Sequence, residues 1–206
     1  TFMPSINEIV GDVKGSQMTE EQFNQAIESL YSSNLKSYTS TLIRLDGLNI
    51  TVHAETKNNG DQYYYVTSDY PDFQIVAPLY ITQEYGTRYL YFTINGILVR
   101  CSQYDLTEMG AEDIAQQLDI IIDNVRPNPS EKPDIANVDT TYDSETGTRY
   151  VVVNGSMNGQ STVLIVAATM VNGKLQLSLG LYVDEVLSLV IRYTDINNTT
   201  VTPPTN

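Results

Sequence analysis

The sequence contains no tryptophan, one cysteine, one histidine and only eleven basic residues among 206. Each scarcity excludes something. A single cysteine, Cys101, permits no internal disulfide, so the chain is not one of the small disulfide-stapled secreted domains. A face that neutralises phosphates needs clustered Lys and Arg, but here no two basic residues adjoin and the net charge is −14. Nucleic acid is therefore excluded as a partner, and electrostatic docking on anionic lipid is disfavoured. No run of 18 apolar residues exists, so no membrane-spanning helix is expected. Charged residues make up 17%, where about 25% is usual, and Thr, Ser, Asn and Tyr fill the gap. That uncharged polar surface fits a protein outside the cell or in the cell envelope. The chain opens Thr-Phe-Met-Pro without an initiator Met and is read as a mature fragment that followed an export signal.

What is present is a strong alternation of patterns. Residues 1–18 have little periodicity and read as an extended lead-in. Thr19-Glu20-Glu21-Gln22 is a capping box, in which the Thr side chain and that of Gln22 each satisfy the other's backbone N–H. Phe23, Ala26, Ile27, Leu30, Tyr31 and Leu35 then recur at helical spacing, predicting a helix over about 19–36. From residue 37 the period becomes two. Leu48, Ile50, Val52 and Ala54 alternate with Asn49, Thr51, His53 and Glu55, the pattern of a half-buried strand. Asp46-Gly47, Asn59-Gly60, Asn95-Gly96, Asn158-Gly159 and Asn172-Gly173 tolerate the positive φ of tight hairpins. Strands are expected near 40–46, 48–57, 62–68, 79–85, 88–94 and 97–103. A second helix follows within 107–125, where Ala111, Ile114, Ala115, Leu118, Ile121, Ile122 and Val125 form one stripe. Pro127 and Pro129 stop it. Strands resume near 137–143, 148–155, 161–171, 174–183, 186–194 and 198–202, and 203–206 form a tail.

Short connections imply antiparallel neighbours, and strands far outnumber helices. The expected fold is α+β: one domain over 19–202, a large curved antiparallel sheet wrapped on two amphipathic helices. A split into two domains near 105 or 130 would leave each half-sheet with one helix to cover it. Leu175, Leu177, Leu179, Leu181 and Val183 are expected on one face, opposite Gln176, Ser178, Gly180 and Tyr182. Leu187, Leu189, Ile191 and Tyr193 should continue that apolar face. Val163 to Met170 is apolar on both registers, which points to a central strand or a partly covered outer face.

Catalytic patterns are missing. There is no phosphate-binding glycine loop, no paired-cysteine or HExxH metal motif and no GxSxG elbow. A nucleophile triad generally needs a histidine base. His53 lies on a polar register, and Cys101 shares a register with Ile97 and Val99, as a small buried hydrophobe would. Asp139, Asp143 and Glu145 precede Gly147, either as a calcium-binding loop without EF-hand spacing or as a solvated turn. No cofactor, metal or catalytic residue is therefore assigned. Tyr63-Tyr64-Tyr65, with Tyr80, Tyr85, Tyr89 and Tyr91, is either a set of stiffening cross-strand pairs or an exposed aromatic patch for a protein or glycan.

The order of elements across about 19–204 resembles the LolA-like superfamily, in particular LppX/LprG-type bacterial lipoproteins. The resemblance rests on the helix Thr19–Lys36 leading into Leu42–Glu55 and on the stretch Tyr89-Leu90-Tyr91-Phe92-Thr93-Ile94-Asn95-Gly96. It also rests on the central helix Ala111–Val125 and on Val190-Ile191-Arg192-Tyr193-Thr194 followed by Val201-Thr202-Pro203-Pro204. It implies a half-barrel, LolA-like in form, whose inner face holds acyl chains, and a lipid anchor upstream of residue 1 as the attachment to a membrane. Geometry leads to a similar expectation. Two helices about 10 Å wide cannot cover some eleven strands about 4.8 Å apart unless the sheet curls. The space left is expected to be lined by Leu118, Ile122, Leu177, Leu179, Leu189 and Ile191, and to take a lipid or other apolar ligand.

Overall fold

The computed structural model describes residues 2–69 and 78–205. Among the described residues eleven strands form one antiparallel sheet in the order β6-β5-β4-β3-β2-β1-β11-β10-β9-β8-β7. The first six are β1 Ser37–Arg44, β2 Asn49–Thr56, β3 Gln62–Ser68, β4 Leu79–Glu84, β5 Thr87–Ile94 and β6 Ile97–Ser102. The others are β7 Thr141–Asp143, β8 Thr148–Met157, β9 Gln160–Val171, β10 Lys174–Val183 and β11 Val186–Thr194. Two sequential meanders, β1–β6 and β7–β11, are joined where β1 pairs with β11, with Leu42 opposite Ile191. The α+β class expected from the hairpin signals is the class observed.

Among the described residues the four α-helices are α1 Ile6–Val10, α2 Glu20–Leu30, α3 Gln103–Glu108 and α4 Glu112–Val125. The capping box at Thr19 is formed, with both bonds between Thr19 and Gln22 in place. The helix ends at Leu30, six residues before the expected end. Ser32 and Asn34 bond locally instead, Asn34 N donating to Ser32 Oγ at 3.0 Å, as short polar side chains do when they compete with helical bonding. A second capping box, Ser102 with Asp105, starts α3 inside what reads as strand and helix lead-in. Gly110, at φ +73°, separates α3 from α4. The strand expected at 198–202 is absent. Its backbone is held by side chains: Thr199 N donates to Ser37 Oγ, and Val201 N to Glu55 Oε1.

Helices α2 and α4 lie on the same face of the sheet, here the inner face. Phe23, Ile27 and Leu30 of α2 and Leu118, Ile122 and Val125 of α4 join one apolar core with the inward residues of the strands. Arg88 of β5 makes an ion pair with Asp119, tying the polar side of α4 to the sheet. The opposite, outer face carries α1. The lead-in is thus only partly extended: Ile6, Ile9 and Val10 pack on Val163, Ile165, Ala167, Tyr182 and Val190 in a second, smaller core. Arg192 Nε donates to Ile9 O and Gln176 Nε2 to Val10 O, each at 2.8 Å, satisfying carbonyls at the end of the short helix. This cover explains why β9 is apolar on both registers.

One register differs from the alternation read in the sequence. A bulge between Leu181 and Tyr182 brings Leu187 opposite Tyr182, while Leu181 pairs with Leu189. The extra residue turns Leu187 to the outer face, where it packs in the smaller core. Leu189, Ile191 and Tyr193 remain inside.

Candidate functional site

Three rows of side chains cross the inner face between β8 and β2, and their burial falls in sequence. In the first, Ala168, Leu177, Tyr193, Ser40 and Val52 stand side by side across five strands. All are buried beneath the helices. Tyr193 donates its hydroxyl to Val125 O at the end of α4, at 2.8 Å. Burial raises its pKa far above the usual phenol value. In the second row, Val151, Val166, Leu179, Ile191 and Leu42 are aligned. Only Leu179 among these is partly exposed. In the third, Val153, Leu164, Leu181 and Leu189 adjoin, and all four are partly exposed. The apolar register therefore runs one row beyond the cover that the helices supply.

All six residues expected to line a cavity belong to this inner layer. Leu118, Ile122 and Leu177 are deeply buried in its core, and Ile191 is nearly so. Leu179 and Leu189 pack against the core while keeping partial exposure. The six are thus brought together but not equivalently: four form the floor and roof of the packed part, and two stand at its open end. Four clefts of the described surface, about 330 to 410 Å³ each, are lined by none of them. Leu189 alone borders a small hollow of about 90 Å³, beside Ile43, Leu45 and Leu187.

The cleft of about 330 Å³ opens at the other end of the inner face, among Lys36, Tyr38, Glu55, Gln62, Tyr64 and Arg126. Its chemistry is polar. Tyr64 donates to Gln62 Oε1 at 3.1 Å. Burial raises the Tyr64 pKa, against the lowering effect of Arg126 and Arg88. Burial also raises that of Tyr38. Glu55 is occupied by Lys57 and by Val201 N. Sequence reading missed this cleft because its residues come from four separate segments.

The tyrosines resolve into two sets. Tyr64 is buried on the inner face. On the outer face, Thr39, His53, Tyr65, Tyr80, Tyr91 and Arg100 fall in one lateral row across β1–β6. The His53 and Tyr65 rings stack at 5.7 Å between centroids, and the Tyr65 and Tyr80 rings lie tilted at 4.5 Å. Arg100 lies 3.8 Å from the centre of the Tyr89 ring. His53 Nδ1 is 2.9 Å from Thr39 Oγ1, and burial lowers its pKa. Cys101 is on the inner face opposite Leu90, so the sheet itself separates His53 from Cys101. Burial pushes the Cys101 thiol up, away from the thiolate.

Asp143 accepts from Thr146 N at 3.0 Å and from its hydroxyl, closing the turn before β8. Among the described residues no group of three His, Cys, Asp or Glu side chains is placed to hold a metal ion.

No protein-family model, curated protein or solved structure matches this chain.

Proposed function

We propose that this protein is a non-enzymatic carrier or receptor for an apolar ligand, held at the uncovered end of its inner face. One observation carries the reading. Val153, Leu164, Leu181 and Leu189 continue the core register without being sealed by a helix. Four neighbouring apolar side chains left partly exposed cost free energy that a ligand would recover, at about 25 cal/mol per Å² buried. The strip runs across four strands about 4.8 Å apart, a length suited to part of an acyl chain. A half-barrel of the LolA-like kind, with a lipid anchor holding it in the cell envelope, is the architecture in which such a strip would serve lipid carriage. Native mass spectrometry of protein purified without detergent tests this directly, a bound lipid being the expected result. Leu179→Trp should fill the open end and lower uptake of a dispersed fluorescent fatty acid with little loss of stability. If the substitution instead costs the roughly 1–3 kcal/mol of an overpacked core, the space is already filled and the carrier reading fails.

A second reading, recognition of a protein or glycan through the outer face, is favoured by the row His53–Tyr65–Tyr80–Tyr91–Arg100. No helix among the described residues packs on it, and its rings are partly exposed. His53 stacks on Tyr65 and Tyr80 tilts against it, so these three offer phenol edges and hydroxyls rather than open ring faces. Tyr65→Ser with Tyr80→Ser should abolish that recognition and leave fatty-acid uptake unchanged.

A further inference from the structure

The two ends of the sheet differ in the chemistry of their turns. At the end of the open strip, four hairpins each expose one aliphatic side chain: Leu45 at 67%, Ile97 at 67%, Met157 at 50% and Val186 at 57%. At the opposite end, the described turns carry Lys57 to Asp61 and Asn172-Gly173, and Tyr85 is the one large exposed hydrophobe in those turns.

Three of the four tips belong to one stitched rim. The β1–β2 turn bonds to β11 through Leu45 N to Ser188 O at 3.4 Å. The β10–β11 turn bonds to β9 through Asp184 N to Ser161 O at 2.9 Å, and Gln160 Nε2 donates to Asp184 at 3.1 Å. Leu45, Val186 and Met157 therefore ride on neighbouring hairpins, spread over roughly 20 Å at two strand spacings per hairpin. Beside them lies Leu189 and the half-covered strip.

We infer that this rim docks on the surface of an electrically neutral lipid bilayer, each tip entering the interface as a separate apolar anchor. Three features select that occupant. The apolar tips are single residues separated by polar turn residues such as Asp46, Asn158 and Glu185, which do not make the continuous core of a protein interface. A fluid interface accepts isolated anchors without matching their shape. The charges also discriminate. Asp46 is paired with Arg44, but the neutral amide of Gln160 leaves the charge of Asp184 in place, and Glu185 adds to it on a chain of net charge −14. Anionic lipid is repelled, while zwitterionic lipid is not. Finally, the rim is continuous with the strip proposed to hold the ligand, so docking would bring that strip to the membrane surface. The inference goes beyond the ligand reading; its first two features stand without that reading, and the third rests on it.

Sedimentation of the intact protein with phosphatidylcholine vesicles tests the docking. Binding is expected, unweakened by added salt and reduced when phosphatidylglycerol is mixed in. Leu45→Ser, Ile97→Ser, Met157→Ser and Val186→Ser combined should lower it by about tenfold or more, with far-ultraviolet circular dichroism and urea midpoint unchanged. Failure of the native protein to bind phosphatidylcholine overturns the inference. So does equal binding by the folded variant. If the variant instead loses a concentration-dependent self-association, and vesicle binding is unaffected, the rim is covered by a second copy and the inference is wrong. Uptake of a dispersed fluorescent fatty acid, measured without vesicles, should survive in the variant. Its absence in both proteins would remove the ligand reading and leave the docking result standing.

Discussion

Ile9 of α1 rests on Gly180 of β10 so closely that a Cβ on the glycine would lie 2.8 Å from Ile9 Cγ1. Real Cβ atoms do not approach that near, so the missing side chain is the seat for the lead-in helix. Gly180→Ala should therefore lift α1 from the outer face. The expected loss is about 1–3 kcal/mol, as for other overpacked sites, even though Ala suits a strand better than Gly. Ile9→Ala should relieve the clash. Urea unfolding of the two single variants and the double variant should show a favourable coupling between the sites. Additive losses would mean that α1 is not seated there.

The covered and uncovered rows should differ in sensitivity. Leu177 is fully buried, and Leu177→Ala should cost about 2–5 kcal/mol. Leu181, one row out on the same strand and partly exposed, should cost under about 1.5 kcal/mol when changed to Ala, since it gains less from burial. Equal losses would show that a ligand or another element covers the third row in solution. That pair of measurements uses stability alone and needs no knowledge of the ligand.

Alkaline pH should unfold the protein through its buried phenols. Tyr31 is pushed up to about 12, by burial first and then by Glu131, and burial raises Tyr38 and Tyr193 further. An unfolded tyrosine releases its proton near pH 10, whereas these folded ones retain theirs. The folded state thus holds more protons, and stability must fall as pH rises above about 10. The urea midpoint should decline gently from pH 8 to 9.5, as the Cys101 thiol raised by burial begins to count, and fall steeply by pH 11. Tyr193→Phe should make that fall shallower. At neutral pH it should also cost about 1–3 kcal/mol, because Val125 O loses its buried donor.

The capping box offers a local test. Thr19→Ala removes the acceptor for Gln22 N, at 3.1 Å, and should cost about 1 kcal/mol. Gly at the same position should cost only a few tenths. Thermal melts of the two variants distinguish loss of the cap from loss of a contact.

Local rules made the strands and helix starts legible. Asn158-Gly159 and Asn172-Gly173 took the positive φ their hairpins need, and alternation placed Ile50, Val52 and Ala54 inside. Thr19 capped its helix because both partners lie within one turn. The sequence also contained, but did not advertise, the Ser102–Asp105 box that begins α3. Four outcomes needed the third dimension. The lead-in became a helix because Ile6, Ile9 and Val10 met an apolar outer face on strands more than 150 residues away. Leu187 changed faces because a bulge inserted one residue, and a period of two cannot survive an odd insertion. The tyrosines divided into a buried inner member and a stacked outer row because register, not proximity in sequence, aligned His53, Tyr65, Tyr80 and Tyr91. Last, alternation marked Leu177, Leu179 and Leu181 alike as inward, since periodicity reports only which face a side chain takes. Where the helices end above that face is a matter of packing between distant segments, and it is this that buried Leu177 and left Leu181 half open.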